Sequence, residues 1–226
     1  MVRAVLFDLD GTLIDTAADL IGTLDDVRAE LGLAPCTAEL PPAVAARGGR
    51  GLLTLGFPDQ PELVERLLPR YLQVYAGRLA RLSRPYAGIA EVLDQLQTAG
   101  IPVAIVTNKP EGLARQLLAE LGWTERFAAL VGGDTLDRRK PHPEPIWHVC
   151  QALRLKPEQT IMVGDDERDI AAGRAAGCAL NIATAYGYLE TPDQVAGWGA
   201  DDIVDDPRQL GAALQRRLSL LSHRAH

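Results

Sequence analysis

Short apolar runs alternate with amphipathic helical segments along most of this 226-residue chain, and this alternation constrains its fold more than any other feature. Residues 4–7 (AVLF) and 102–106 (PVAIV) are typical of strands that are buried on both faces. Between such runs, apolar residues recur at helical spacing, as at Ile89, Val92 and Leu96. The pattern predicts an α/β fold with a Rossmann-like, three-layer core in which helices cover a parallel sheet. Further strands are predicted at residues 128–131, 160–163, 179–183 and 203–204.

One interval does not fit a simple crossover between neighbouring strands. The stretch between the first two predicted strands is far longer than the roughly 30 residues that a βαβ unit needs. It contains two apolar stripes with helical spacing, at residues 20–31 and 63–75. We therefore expect an inserted α-helical cap over residues 16–84, with the core formed by residues 1–15 and 85–226. In the alternative, the same helices pack on the sheet as part of one domain.

Composition and charge limit the partners and the location of the protein. A formal net charge of −7 argues against nucleic acid as the main partner, because binding to the phosphate backbone needs a broad basic surface. The three cysteines show no CxxC pairing, and the first apolar run is too short for a signal peptide or a membrane span. We expect a cytoplasmic protein, monomer or homodimer, that acts on a small molecule without a membrane partner. The C-terminal SLLSHRAH is expected to fray.

Polar motifs follow the predicted strands at the edge where open α/β sheets bind their ligands. Residues 8–12 (DLDGT) follow the first strand, residues 107–109 (TNK) the second, and residues 164–169 (GDDERD) a later one. Residues 138–141 (RRKP) are expected to enter a helix between them. Each motif alone is common in turns and helix caps. Their joint occurrence in this order indicates one shared site.

Four carboxylates are expected to converge at this edge: those of Asp8, Asp10, Asp165 and Asp169. Two like charges 4 Å apart repel by about 4 kcal/mol at an effective dielectric constant of 20, so the cluster calls for a cation. The cluster has no histidine or cysteine partner, and carboxylate oxygens are hard ligands that favour Mg²⁺ over zinc or copper. The sequence therefore predicts a Mg²⁺ site, which also suits phosphate chemistry.

The motifs DLDGT, VTNK, KPHPEP and GDDERD resemble the four motifs of the haloacid dehalogenase superfamily, and the match spans nearly the whole chain. The helical insertion after the first motif resembles the C1-type cap of that superfamily, and the overall pattern is similar to phosphoglycolate phosphatases. The stretches VGDDERDI, YGY and WGADDIVDDP also resemble the branch that includes N-acetylmuramic acid 6-phosphate phosphatase. The resemblance implies a Mg²⁺-dependent phosphoric monoester hydrolase. Phosphoglycolate is the first expected substrate, and N-acetylmuramic acid 6-phosphate is the alternative.

The resemblance also implies roles for the carboxylates. Asp8 is expected to attack phosphorus and form an aspartyl-phosphate. Asp10 is expected to protonate the leaving alcohol and then to deprotonate the water that hydrolyses the intermediate. The expected ligands of Mg²⁺ are the Asp8 carboxylate, the Asp10 backbone carbonyl and the Asp165 carboxylate, with Asp169 supporting them.

Other residues are expected to bind the substrate. By the same resemblance, Thr107 and the Asn108 amide donate hydrogen bonds to the phosphoryl oxygens, and Lys140 neutralises charge on the transferring group. Arg138 and Arg139 compete with Lys140 for that part on composition alone. The proline that follows Lys140 matches the family motif and favours the lysine.

Several alternatives remain open at this stage. Arg50, in the run RGGRG, is expected to contact the non-phosphate end of the substrate, although an ordinary solvated turn explains the run equally well. Asp166 lies where many relatives carry a small hydroxyl residue, so its role is open. Asp10 argues against a dehalogenase, and the absence of lysine from residues 16–84 argues against a phosphonate hydrolase. A phosphomutase of the same fold and a non-catalytic sensor of phosphate ligands remain possible.

Overall fold

The alternation of strands and helices gives the predicted α/β architecture. The computed structural model describes the backbone of residues 1–223 and the side chains of these residues except 192 and 219–223. In chain order the strands are β1 (Ala4–Phe7), β2 (Ile14–Asp15), β3 (Arg84–Pro85), β4 (Val103–Val106), β5 (Ala129–Val131), β6 (Thr160–Gly164), β7 (Leu180–Thr184) and β8 (Asp202–Val204). The α-helices are α1 (Ala17–Glu30), α2 (Gly48–Gly56), α3 (Pro61–Ala76), α4 (Ile89–Thr98), α5 (Glu111–Glu120), α6 (Glu144–Leu153), α7 (Glu167–Ala176) and α8 (Leu210–His223). The predicted strand bounds hold to within one residue.

Six of these strands form one sheet within residues 1–223, in the order β5-β4-β1-β6-β7-β8, and every neighbouring pair is parallel. In the register of the central strands, Phe7 lies beside Ile105 of β4 and Val163 of β6. Because parallel strands run in the same direction, the segments that follow β1, β4 and β6 all leave the sheet at one edge. The three main polar motifs of the sequence are therefore brought together.

Helices cover both faces of the sheet, as the fully buried central strands require. Alternate residues of β1 point to opposite faces: Val5 and Phe7 pack into one apolar cluster, and Leu6 packs into another. The first cluster includes Ile89 of α4 and residues of α5 and α8, and the second includes Ile146 of α6 and residues of α7. The result is the predicted three-layer core.

Helices α1 to α3 lie between β2 and β3 and do not contribute to the six-stranded sheet. Strands β2 and β3 pair with each other in an antiparallel ribbon, with Asp15 opposite Arg84. Leu24 and Tyr75, from the two predicted stripes, are buried. Leu31 was expected to continue the first stripe, but this prediction is wrong: α1 ends at Glu30, and the Leu31 side chain is 47 % exposed.

A buried carboxylate ties the inserted helices to the chain segment that returns to the sheet. Asp19 of α1 has no exposed surface, and its Oδ2 accepts hydrogen bonds from the Leu82 N–H at 2.9 Å and the Ser83 N–H at 2.8 Å. The Ser83 hydroxyl donates a third bond at 2.7 Å. Since all three donors lie just before β3, Asp19 fixes where the insertion rejoins the core.

Two further observations concern membrane-spanning segments and the C-terminal end of the chain. Within residues 1–223, no helix combines the length and the apolar run that a bilayer-spanning segment requires. Helix α8 continues to His223, so the start of the predicted frayed end is helical. The last three residues of that end lie outside the described part of the chain.

We expect Asp19→Ala to lower the free energy of unfolding by about 3 kcal/mol, because two backbone N–H groups and one hydroxyl lose their acceptor inside the protein. Equilibrium denaturation in urea measures this change. The matched control is Asp94→Ala, which removes a carboxylate that is 60 % exposed and pairs with Arg126; its expected effect is within about 0.5 kcal/mol. Equal effects of the two substitutions would show that the Asp19 bonds do not hold the insertion.

Candidate active site

Asp8 lies directly after β1 at the floor of a cavity. Its backbone N–H donates to the Val163 carbonyl at 2.9 Å, which continues the β1–β6 ladder one residue beyond the strand. Gly11 then turns the chain with φ +88°, and a side chain there would collide with the Asp165 carboxylate. Glycine in the DLDGT motif therefore allows the first and last acidic motifs to approach each other closely.

Lys140 joins two of the aspartates. Its buried ammonium group lies 2.5 Å from Asp8 Oδ1 and 2.6 Å from Asp169 Oδ1, and it donates to the Val106 carbonyl at 2.5 Å. Although burial opposes the charge, these two carboxylates hold the pKa of Lys140 above its usual value. Helix α6 begins at Glu144, so the residues 138–141 precede the helix as a loop instead of entering it as expected.

Asp165 follows β6 and is held by neutral donors. The Thr12 hydroxyl donates to its Oδ1 at 2.7 Å, and the Tyr188 backbone N–H donates to its Oδ2 at 2.9 Å. Gly187 also packs against this side chain so closely that a Cβ there would collide with it. Within residues 1–223, no lysine or arginine forms an ion pair with Asp165. No cationic side chain among the described residues therefore pairs with this carboxylate.

Asp166, whose role the sequence left open, caps helix α7. Its Oδ1 accepts the Arg168 N–H at 2.8 Å, and its own N–H donates to Asp169 Oδ2 at 3.1 Å, which forms a capping box. The Arg168 guanidinium pairs with Asp166 Oδ2 at 2.5 Å and donates to the Ala46 carbonyl at 3.0 Å. Asp166 thus orients Asp169 and anchors an arginine that reaches the inserted helices.

The carboxylates of Asp8, Asp165 and Asp169 form a buried group whose oxygen atoms lie within 4.8 Å of one another. Three carboxylates against the single ammonium of Lys140 leave two negative charges. Burial raises the pKa of Asp165 well above its usual value, and the charges of Asp8 and Asp169 raise it further. Burial also raises the pKa of Asp169 to about 7, although Lys140 acts in the opposite direction. Hard oxygen donors and an excess of two negative charges fit a cation such as Mg²⁺.

Asp10 lines the same cavity, but its carboxylate is not part of this group. It accepts the Thr16 hydroxyl at 2.7 Å, and Lys109 Nζ lies 2.9 Å and 3.2 Å from its two oxygens. All four aspartates expected at this edge line the cavity, and three of them form the buried group. The fourth is held by a lysine from the loop after β4.

Thr107 and Asn108 follow β4 and line the cavity next to Lys140. The Thr107 Oγ accepts the Lys109 N–H at 3.2 Å, and the Asn108 amide nitrogen donates to the Lys140 carbonyl at 3.0 Å. Because that nitrogen carries two hydrogens, one remains for a ligand. The Asn108 side chain therefore also fixes the loop that carries Lys140.

The cavity above these residues has a volume of about 530 Å³. Its polar floor comes from the sheet edge, and its opposite wall comes from the inserted helices, with the apolar side chains Leu20, Leu68, Tyr71, Leu72 and Tyr75. The run RGGRG is not a solvated turn: it joins the 3₁₀ helix Pro42–Arg47 to α2, and it lines the cavity. Arg50 pairs there with Glu65 of α3.

Three residues around the aspartates were not predicted from the sequence. Lys109 holds Asp10, the Tyr75 hydroxyl accepts a hydrogen bond from Lys109, and Tyr188 holds Asp165 through its N–H. The Tyr188 hydroxyl also accepts the Thr16 N–H at 2.5 Å. The position of Lys109 directly after Thr107 and Asn108 was a usable signal, because that loop was already assigned to the site. No local pattern distinguishes Tyr75 from a core residue, whereas Tyr188 ends the stretch YGY, to which the sequence assigned no role in the site.

A family model described as haloacid dehalogenase-like hydrolase matches residues 5–183, and the chain belongs to this family. A phosphoglycolate phosphatase of Xylella fastidiosa is 42 % identical over 209 residues, which cover 92 % of this chain and 91 % of the relative. An N-acetylmuramic acid 6-phosphate phosphatase of Pseudomonas aeruginosa is 43 % identical over 220 residues, which cover 96 % of each chain. The crystal structure of a predicted phosphoglycolate phosphatase from Haemophilus somnus superposes with a TM-score of 0.79 at 29 % identity, covering 92 % of this chain and 96 % of that one.

We expect Mg²⁺ to raise the melting temperature more at pH 8 than at pH 6, by about 3 °C at a Mg²⁺ concentration that half-saturates the protein at pH 6. The raised pKa of Asp169 means that its protonated form stabilises the metal-free protein below the unfolded-state pKa near 3.8 and that this stability is lost as pH rises through about 7. At pH 6 the cation must therefore displace a proton. Thermal unfolding in EDTA and in Mg²⁺ measures the difference.

The control for this measurement is Asp165→Asn, which removes the carboxylate that has no cationic partner in the described part of the chain. We expect Mg²⁺ to leave the melting temperature of this variant unchanged at both pH values. If Mg²⁺ raises the melting temperature of the wild-type protein equally at pH 6 and pH 8, cation binding and protonation are not coupled.

Proposed function

We propose that this chain is a Mg²⁺-dependent phosphatase that transfers the phosphoryl group of a small phosphomonoester first to Asp8 and then to water. The observation that carries the proposal is the setting of the Asp8 carboxylate. It lies at the floor of the cavity at a strand end, 2.5 Å from the buried Lys140 ammonium group. A carboxylate is a weak nucleophile, so its rigid placement next to a cation is what the reaction requires of it.

An oxygen of Asp8 attacks phosphorus, a P–O bond to Asp8 forms, and the P–O bond to the alcohol breaks. Asp10 gives its proton to the leaving alcohol and later accepts a proton from the water that attacks the aspartyl-phosphate. Inorganic phosphate leaves, and both aspartates return to their starting state.

The remaining site residues hold the transferring group. Thr107 and the second N–H of the Asn108 amide donate to phosphoryl oxygens, and Lys140 balances their charge. The Mg²⁺ ligands are the carboxylates of Asp8 and Asp165 and the backbone carbonyl of Asp10, while Asp169 stays on Lys140. When bound, the cation neutralises charge on the phosphoryl oxygens.

We also propose that residues 16–84 act as a cap over a core of residues 1–15 and 85–226. Two features support this division into cap and core. The β2–β3 ribbon carries the chain out of the core and back, and the inserted helices supply the cavity wall that faces the sheet edge. Such a cap excludes bulk water from the aspartyl-phosphate and leaves specificity to the inserted residues.

Phosphoglycolate is the first candidate substrate, because a relative that is 42 % identical carries that name. The second candidate is N-acetylmuramic acid 6-phosphate, which is favoured by the cavity volume of about 530 Å³ and by its apolar wall. A two-carbon acid leaves most of that space to water, whereas an amino sugar fills it. Both candidates carry a carboxylate in addition to the phosphate.

Asp8→Asn is expected to abolish turnover, and Asp10→Asn is expected to lower kcat by roughly 10²–10⁴ with phosphate binding retained. The measurement is phosphate release in Mg²⁺ and in EDTA, with phosphoglycolate, N-acetylmuramic acid 6-phosphate, hexose phosphates and nucleoside monophosphates. Near-normal turnover by Asp8→Asn would refute the covalent step. If the wild-type protein releases phosphate from none of these compounds, a phosphomutase or a phosphate sensor becomes the better explanation.

One arginine in the cavity is available for the substrate carboxylate. The arginines that line the cavity are Arg47, Arg50, Arg139 and Arg168. Three of them pair with carboxylates of this chain, namely Glu190, Glu65 and Asp166. Arg139 has no ion pair among the described residues, and it directly precedes Lys140 in the chain. A guanidinium group binds a carboxylate through two parallel hydrogen bonds, so Arg139 is suited to the acid group of either candidate.

Arg139→Gln is expected to raise KM roughly tenfold or more for N-acetylmuramic acid 6-phosphate, because a charge-assisted contact is lost. It should have little effect on N-acetylglucosamine 6-phosphate, which lacks the carboxylate. Arg138→Gln is the matched control, since Arg138 lies outside the cavity lining and contacts His142 at 2.7 Å. A similar rise in KM for both sugars would assign Arg139 to the phosphate instead.

A further inference from the structure

Lys109 is buried where three separate segments of the chain meet. Its side chain is 3 % exposed, and its ammonium group lies 2.9 Å and 3.2 Å from the two oxygens of Asp10. The same group donates to the Tyr75 hydroxyl at 2.7 Å and lies 4.5 Å from the centre of the Tyr75 ring. Asp10 follows β1, Lys109 follows β4, and Tyr75 belongs to α3 of the insertion.

These contacts separate Lys109 from the phosphate site. Lys140 is the lysine that touches Asp8 and Asp169. Among the described residues, the partners of the Lys109 ammonium group are Asp10 and Tyr75, and no hydrogen bond joins it to Asp8 or Asp165. A lysine placed to bind the phosphoryl group would face those carboxylates. Lys109 instead faces the side chain to which we assign proton transfer.

The contact also restricts the Asp10 carboxylate. Two oxygens bound to one ammonium group fix the plane of the carboxylate, and the Thr16 hydroxyl adds a third bond at 2.7 Å. Side-chain rotation about Cα–Cβ would break all of these bonds together. Proton transfer to a leaving group needs this kind of placement, because small displacements of a catalytic group cost large factors in rate.

Tyr75 makes the arrangement depend on the insertion. Its side chain is 1 % exposed, and its hydroxyl bonds to the Lys109 ammonium group while its ring covers the same group. A buried ammonium group needs such partners to offset its lost hydration. If α3 moved away from the sheet edge, Lys109 would lose the partner that directs it towards Asp10.

We propose that Lys109 is a positioning residue that holds the Asp10 carboxylate for proton transfer and that Tyr75 of α3 holds Lys109. The acid/base group is thus assembled only when the inserted helix is docked against the sheet edge. This inference rests on the proposed phosphatase function, in which Asp10 protonates the leaving alcohol.

The experiment compares two kinds of leaving group. An alkyl phosphate needs a proton on its departing oxygen, whereas p-nitrophenolate leaves without one. We expect Lys109→Met to lower kcat for the alkyl substrate by roughly 100-fold or more. For p-nitrophenyl phosphate the loss should stay below about fivefold, because the Asp8 and Lys140 contacts are intact. KM should change little for either substrate.

Tyr75→Phe provides a milder second variant that keeps the ring and removes the hydroxyl. We expect it to lower kcat for the alkyl substrate by about threefold to tenfold and to leave the p-nitrophenyl rate nearly unchanged. Lys156→Met is the matched control, since Lys156 is exposed and lies outside the cavity lining. Asp10→Asn should show the same preference for p-nitrophenyl phosphate as Lys109→Met.

Equal losses on the two substrates in both Lys109→Met and Tyr75→Phe would overturn the inference, because a structural or phosphate-binding role affects both leaving groups alike. If Lys109→Met does not fold, the Tyr75→Phe ratio decides the question. Absence of phosphate release by the wild-type protein from both substrates would instead refute the proposed function itself, and the inference with it.

Discussion

The contact between the Lys140 ammonium group and the carboxylates of Asp8 and Asp169 is the interaction on which the rest of the site depends. Three buried carboxylates repel one another, and at an effective dielectric constant of 20 each pair 4 Å apart costs about 4 kcal/mol. Lys140 offsets part of this repulsion and also bonds to the Val106 carbonyl at the end of β4. It therefore ties the first, third and last motifs to the sheet edge, while the remaining negative charge suits the same group to a divalent cation.

The parallel sheet explains why these motifs can meet although they are far apart in the chain. Strand β1 lies at the centre with β4 and β6 on either side, so Asp8 leaves the sheet between Thr107 and Asp165. Close approach then depends on small residues. Gly11 and Gly187 both lie against the Asp165 side chain, where any Cβ would collide with it. The sheet provides the common edge, and the glycines allow the carboxylates to come within contact distance.

The sheet edge and the inserted helices contribute different parts of the site. The sheet edge presents the aspartates and lysines that suit phosphoryl transfer, and the insertion presents the wall that surrounds the rest of the substrate. Tyr75 belongs to both parts, because it lies in the cavity wall and also contacts Lys109. Two relatives of similar identity to this chain carry the names of different phosphatases, which is consistent with specificity that depends on the inserted residues.

The sequence by itself determined the six strands of the parallel sheet, the helices that carry a clear apolar stripe, the position of the insertion and the residues at the strand ends, because local periodicity and strand-end motifs depend on near neighbours in the chain. Only the tertiary structure decided which of these side chains face each other. It paired Asp10 with Lys109 and Arg50 with Glu65, and it brought Tyr188 to Asp165. Those contacts join residues that are distant in sequence, and they arise from packing between segments that no local pattern encodes.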